Sequence, residues 1–279
     1  MSTLNRIMQI LETHMTTPKP YEWFHLLCLA LTVIGTVFLI LRFRNTSDKT
    51  VRRMLLAVWI VLVVLELYKQ FVGAYDDVVY GFPVWSYYWP WFPFQFCSTP
   101  LYSLPFIIFL PDSRWRRAFS TFFASVSLFA GLVVMLYPNN VFCSLIGINV
   151  QTMIHHGAMV AVGIFMVAYD RRMDKRSFAG SLAVFYAFAA VAFLLNEVIC
   201  TTVLPKGPDT EFNMFYISRH YPCTLPILSD IFNKVDYPVF LLIYLVGLTA
   251  VSALFYGIEK GILALLQKAK RQTEDITPQ

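Results

Sequence analysis

RFRNTSDKTVRRMLLAVWIVLVVLELYKQFV, residues 42–72, decides how this chain folds. It opens with Arg42, Arg44, Lys49, Arg52 and Arg53, runs through an unbroken apolar stretch from Met54, and closes on Glu66, Lys69 and Gln70. Residues 54–72 come close to the roughly 20 apolar residues that a helix needs to cross a bilayer. A basic edge anchors such a crossing on one side of the membrane. Ionisable groups in its far turns are costly there and mark a site by default.

Working outward, the same pattern repeats. Apolar segments lie at 23–41, 54–72, 93–110, 118–137, 151–169, 178–203 and 237–258, and every second loop is basic. Beyond the first basic loop come Arg114, Arg116 and Arg117, then Arg171, Arg172, Lys175 and Arg176, then Lys260, Lys268, Lys270 and Arg271. The opposite side holds only Arg6, Lys19, Lys69, Lys206, Arg219 and Lys234 of the 22 Lys and Arg. The positive-inside bias puts the N-terminus outside and the C-terminus in the cytoplasm, as seven crossings require. The expected fold is all-α: one polytopic transmembrane domain over residues 1–279, with no soluble domain at either end. The first twenty residues are polar and show no cleavable signal pattern.

Composition agrees. Apolar residues make up 57% and charged ones 14%, with mean hydropathy +0.59, whereas a soluble domain carries about a quarter charged residues. The net charge of +5 therefore reports topology, and no nucleic-acid partner is expected. The dispersed cations would instead attract anionic lipid headgroups. Five cysteines occur, Cys28, Cys97, Cys143, Cys200 and Cys223, without CxxC or Cys/His metal spacing. No metal or other cofactor is expected. The topology puts Cys143, Cys200 and Cys223 near the outer surface, where an oxidising compartment could join one pair. Sequence does not choose the pair.

The third segment is unusual. Pro93, Pro100, Pro105 and Pro111 punctuate PFQFCSTPLYSLPFIIFLP. Proline removes a backbone donor and kinks a helix, so this segment is expected to be broken or re-entrant. Such backbone is tolerated at membrane depth only when buried in protein or lining a cavity. Two outer loops are long. Residues 73–92 carry Tyr75, Tyr80, Trp85, Tyr87, Tyr88, Trp89 and Trp91, an aromatic interfacial collar. Residues 204–236 are too apolar for a solvated linker and read as a lid or interfacial segment.

Polar groups gather at one depth. By direction of travel, Glu66, Lys69 and Gln70, then Gln95, Cys97, Ser98 and Thr99, then Asn149, Gln151, Thr152, His155 and His156, then Asn196, Glu197, Thr201 and Thr202 all fall in the outer half. They read as one water-accessible cavity. Each has a bland reading too. Glu66 and Lys69 sit three apart on one helical face and can simply pair. Asn196 and Glu197 can be interhelical glue. Cys97 can be a small buried hydrophobe, and a histidine can serve packing or proton relay.

A cysteine and a histidine on different helices could carry acyl transfer. The histidine takes the thiol proton, the thiolate attacks an ester carbonyl, and an alcohol or water resolves the thioester. Glu197 or Asn196 could orient the histidine. Backbone N–H groups freed by the prolines, with Gln95 and Ser98, could receive the oxyanion. No HxxxxD, GxSxG or phosphate-binding glycine loop occurs. The other class these features fit is a seven-helix transporter or ligand-binding protein with a polar outer cavity. A carrier would usually show an inverted or parallel repeat, and none is visible.

Three runs carry a family resemblance: PFQFCSTPLYSLP, IHHGAMV, and FNMFYISRHYPCTLPILSDIFNKVDYPVFLLIYL. In order and spacing they resemble the YwaF-type integral membrane proteins of bacteria, a family similar to a eukaryotic multi-pass acyltransferase that moves acyl chains between phospholipids through a cysteine. The resemblance covers roughly residues 50–258. It implies a phospholipid substrate, Cys97 as nucleophile, His156 (directly before Gly157) as catalytic histidine, and Asn213 lining the site. It also implies a bacterial cell membrane, with an endomembrane as the alternative. The chain departs from the pattern at Gln95, where a histidine is expected, and at Arg219 and His220, which have no counterpart.

Overall fold

The computed structural model describes residues 3–76, 84–138, 141–170, 173–204 and 211–276. Tyr80, Arg171, Arg172 and Lys206 lie outside these residues, as do the side chains of Lys270 and Arg271. In chain order the helices are α1 (Thr3–Leu11), α2 (Trp23–Phe43), α3 (Asp48–Val72), α4 (Thr99–Phe109), α5 (Arg114–Phe122), α6 (Leu128–Leu136), α7 (Ile146–Tyr169), α8 (Lys175–Val198), α9 (Leu228–Phe232) and α10 (Tyr237–Ile276). A π-helical turn, Phe123–Ser127, joins α5 to α6 in one rod, and another, Ile199–Val203, extends α8. Tyr75–Asp76 pairs antiparallel with Val84–Trp85 in a two-residue ladder.

Six of these rods are long and apolar enough to cross a membrane: Trp23–Phe43, Asp48–Val72, Arg114–Leu136, Ile146–Tyr169, Lys175–Val203 and Tyr237–Leu265. They match six of the seven expected segments. The chain is a multi-pass integral membrane protein. α7 is the central rod, with 72% of its apolar window buried against 17% for α2 and for α10. The outer rods turn apolar side chains such as Leu31, Val64 and Leu242 outward, as lipid requires. Every orphan backbone group at these helix ends needs a partner. Ser47 caps α3 by accepting from Thr50 N, Ser113 caps α5 by accepting from Arg116 N, and Asp174 with Ser177 forms a capping box on α8.

The third expected segment differs from the other six. It forms a 3-10 turn, Phe96–Ser98, and then α4, an 11-residue helix. At 1.5 Å per residue α4 is about 16 Å long, near half a bilayer core. The prolines explain the break and also how it is stabilised. Pro105 cannot donate to Leu101 O four residues back, and the Trp59 indole N–H takes that carbonyl at 2.9 Å. Pro111 likewise leaves Ile107 O free, and Arg116 Nε donates to it at 2.9 Å. Arg52 donates to Leu110 O at 2.7 Å and also to Ile108 O. At the other end of α3, Gln70 donates to Trp91 O at 2.8 Å. Residues 91–110 therefore run beside α3 over its length, helical for half of it. Replacing Trp59 by Phe should leave Leu101 O without its donor and cost about 1–2 kcal/mol. Thermal unfolding in detergent would show this, and an unchanged melting temperature would contradict it.

The basic ends of the rods meet at one end of the bundle. Arg116 of α5 holds Asp48 of α3 at 2.6 Å, Tyr169 of α7 donates to Asp48 at 3.3 Å, and Lys260 of α10 donates to Met173 O. The side assignment read from loop charges thus corresponds to a common structural end.

Within the segment read as a lid, residues 212–217 form a plug. Phe212, Met214, Phe215 and Ile217 are fully buried among Phe122, Phe185, Phe240 and Tyr244. Phe215 and Tyr216 adopt φ of 58° and 59°, a left-handed conformation that is uncommon for a residue with a Cβ and persists only where the surroundings over-determine it.

Candidate functional site

Local sequence sets the position of each polar group. Glu66 and Lys69, three apart on the last turns of α3, form an ion pair at 2.8 Å with both side chains largely buried. Gln70, one turn beyond Glu66, donates to the same carboxylate oxygen at 2.7 Å. Its own amide oxygen accepts from the Tyr87 hydroxyl at 2.5 Å. The second carboxylate oxygen of Glu66 is buried without a hydrogen bond.

Cys97 sits in the 3-10 turn just ahead of α4. It is half-buried, whereas Ser98 and Thr99 beside it are closed off. The N-terminal end of α4 lies two residues away. The Ser98 hydroxyl lies beside the sulfur, and both members of the Glu66–Lys69 pair are within electrostatic reach of it. Thr99 Oγ1 donates to Phe96 O at 2.9 Å and approaches Ser127 Oγ of the π-turn at 3.4 Å.

α7 starts at Ile146, five residues before the expected segment. That places His155 and His156 about 14 Å along the helix, deeper than sequence suggested. His156 donates from Nδ1 to Thr152 O one turn back, at 2.7 Å. This fixes the neutral tautomer with Nε2 as the free acceptor. His155 is buried at 3% exposure, and neither ring nitrogen has a hydrogen bond. Its ring lies against the Cys97 main chain without completing a bond to it, in the field of Lys69. Neither imidazole hydrogen-bonds the Cys97 sulfur. Close packing holds α7 at this level. A Cβ on Gly157 would meet Thr32 Oγ1 at 2.6 Å, and one on Gly131 would meet Met159 Cβ at 2.8 Å.

The structure gives the other residues singled out in the sequence different company. Asn196, fully buried, accepts from Met214 N at 2.7 Å and donates to Met214 O at 3.0 Å. Gln95 accepts from Phe215 N at 3.1 Å and donates to Asn213 O at 3.0 Å. Asn213 accepts from Ser218 N at 2.9 Å and donates to Pro222 O at 3.0 Å. Glu197 pairs with Arg219 at 2.5 Å and lies 3.4 Å from His220 Nε2. These amides and this carboxylate hold the plug in its left-handed turn. Thr152, not Asn196 or Glu197, is the acceptor that orients a site histidine. Gln95 is engaged by the plug backbone through its oxygen and one of its two amide N–H groups.

The plug also brings a residue the sequence reading missed. The Tyr216 phenol sits close enough to Cys97 for the two to interact. Burial, with the Cys97 and Cys223 thiols adding to it, pushes that phenol up to about 12, so it stays a neutral donor near neutral pH. The aromatic run FNMFY gave no sign of which ring would turn toward Cys97, since that depends on the positive φ at Tyr216. All five cysteines are free thiols, so the pairing considered for Cys143, Cys200 and Cys223 is not made here. No group of three or more metal-ligating side chains occurs among the described residues.

Six apolar rods, a proline-broken half-helix and a polar cluster facing a buried plug define a multi-pass membrane protein with an interior site. The chain belongs to the TMEM164 family, whose family model matches residues 15–256. The match takes in α2, which the motif resemblance did not reach. No curated protein and no solved structure matches the chain.

Proposed function

We propose that this protein is a membrane-embedded acyltransferase or lipid acyl hydrolase that uses Cys97 and His156 through a thioester, acting on phospholipid in the outer leaflet. One observation carries this reading. A cysteine at the N-terminal end of an interrupted helix lies beside the Glu66–Lys69 pair, on the same side of the bundle as an imidazole whose tautomer Thr152 fixes. The YwaF-type motif resemblance points the same way.

In the proposed reaction His156 Nε2 takes the Cys97 thiol proton as the sulfur attacks the ester carbonyl carbon. The carbonyl π electrons move to oxygen, facing the Ser98 hydroxyl, the α4 N-terminus and Lys69. Collapse breaks the C–O ester bond, and the departing alkoxide takes the proton back from the imidazolium. A lysophospholipid hydroxyl or water then attacks the thioester by the same sequence in reverse. Substrate-free catalytic hydrogen bonds are often open and tighten only in the complex, in keeping with a sulfur that neither imidazole yet bonds.

We also assign seven crossings, N-terminus out and C-terminus in. The bonds from Gln70, Trp59 and Arg52 hold residues 91–110 beside α3 from end to end. That supports counting the broken segment as a crossing, and the shared basic end then faces the cytoplasm. The site lies in the opposite half, the half that this assignment turns toward the outer leaflet.

His156→Ala should lower acyl transfer by about 10²–10⁴-fold, with the protein still inserted and melting near its parent temperature. A transfer assay with acyl-labelled phospholipid reads this directly. Full activity in His156→Ala together with its loss in His155→Ala would move the base to the neighbouring ring and overturn the assignment.

A further inference from the structure

The basic end of α3 carries more cations than the fold uses. Asp48 is engaged by Arg52 at 2.8 Å, by Arg116 at 2.6 Å and by the Tyr169 hydroxyl. Arg52 is further fixed by the α4 carbonyls of Ile108 and Leu110. Arg117 pairs with Asp112 at 3.2 Å. Lys49 and Arg53 are exposed, and neither has an ion pair among the described residues. Both line an open groove between α3 and α4, with Asp48 (already held by its two arginines), Arg52 and Leu56 also on the α3 side and Ile108 and Phe109 on the α4 side. Phe109 is 64% exposed.

Spacing makes this groove directional. Lys49, Arg53 and Leu56 stand at i, i+4 and i+7 on one face of α3, so the face turns from cationic to apolar within two turns. Phe109 and Ile108 continue the apolar side on α4. An anionic headgroup meets its acyl chains over a similar distance at a membrane surface.

We propose that this groove binds an anionic phospholipid of the leaflet on the basic side, with the phosphate between Lys49 and Arg53 and a chain along Leu56, Ile108 and Phe109. Two surplus cations favour a lipid of net negative charge over phosphatidylcholine, whose ammonium cancels its phosphate. The apolar wall favours a lipid over a free anion. The site lies at the opposite end of α3 from Glu66 and Lys69 and does not depend on the acyl-transfer reading.

The test uses the purified full chain and native mass spectrometry in detergent, with phosphatidylglycerol, phosphatidylcholine or inorganic phosphate added. Phosphatidylglycerol should be retained in preference to phosphatidylcholine, and inorganic phosphate at equal concentration should not displace it. A cation near the membrane surface contributes enough that K49Q/R53Q should bind phosphatidylglycerol roughly thirtyfold more weakly. Each single variant should lose roughly fivefold, which covers the case in which the double variant fails to insert. F109S should weaken retention without altering the preference for anionic over zwitterionic lipid. Equal retention of the two lipids, parent-like retention by the cation variants, or displacement by inorganic phosphate would each overturn the proposal. The same selectivity in a Cys97→Ala background keeps this outcome separate from that of the acyl-transfer test.

Discussion

Replacing Cys97 by alanine is expected to abolish acyl transfer while leaving the protein inserted and folded. Cys97 is half-buried in the turn before α4, so losing one sulfur leaves only a small space beside Ser98. Chemically the loss is complete for the proposed route, because the thioester forms on the Cys97 sulfur and the neighbouring Ser98 and Thr99 carry only hydroxyls. Removing the nucleophile of a covalent mechanism leaves only binding and electrostatic contributions, and a fall of at least about a thousandfold follows. Cys97→Ser should fall nearly as far, since the serine hydroxyl is much less acidic than the thiol. The readout is transfer of a labelled acyl chain between phospholipids in vesicles. Ligand-dependent proton flux that persists in Cys97→Ala would favour the transporter reading.

Asn196→Ala should be the most destabilising single change outside the rods' apolar faces. The Asn196 amide satisfies both backbone groups of Met214, at 2.7 and 3.0 Å, where both residues are fully buried. Alanine would leave a buried N–H and a buried C=O unpaired at about 1–3 kcal/mol each. It would also release a turn whose next two residues sit at positive φ. A loss of about 2–5 kcal/mol corresponds to a melting temperature roughly 5–10 °C lower. A parent-like melting temperature for Asn196→Ala would show that the plug is held by its apolar side chains alone.

The rods were legible because crossing lipid demands a long apolar run, and such runs survive any tertiary context. The basic loops were legible for the same reason, and the Asp48–Arg116 pair confirms that two of their ends meet. The break in the third segment was legible from its prolines. What takes the carbonyls those prolines release was not, because Trp59, Arg52 and Arg116 reach them across helix contacts that no local pattern encodes. The start of α7 was placed five residues late, at 151, yet residues 146–150 stand on helix inside protein, and His155 and His156 lie deeper as a result.

Asn196 and Gln95 were grouped with the reactive residues by depth, the coordinate that sequence offered, and Asn213 by the motif resemblance. Polar side chains at one depth can face two different places, and these three face the plug backbone. Glu66 and Lys69 were readable as a pair because their spacing along one helix fixes their geometry. Tyr216 was unreadable for the opposite reason, since its direction depends on a backbone conformation that distant amides impose.

The most direct measurement is the mass of the Cys97 peptide after incubation of the purified protein with a phospholipid of defined acyl chains. The account predicts an acyl adduct on that peptide, removed by neutral hydroxylamine, absent in Cys97→Ala and slow to form in His156→Ala. An active protein whose Cys97 never carries the chain, or whose adduct forms at an unchanged rate without His156, would contradict it.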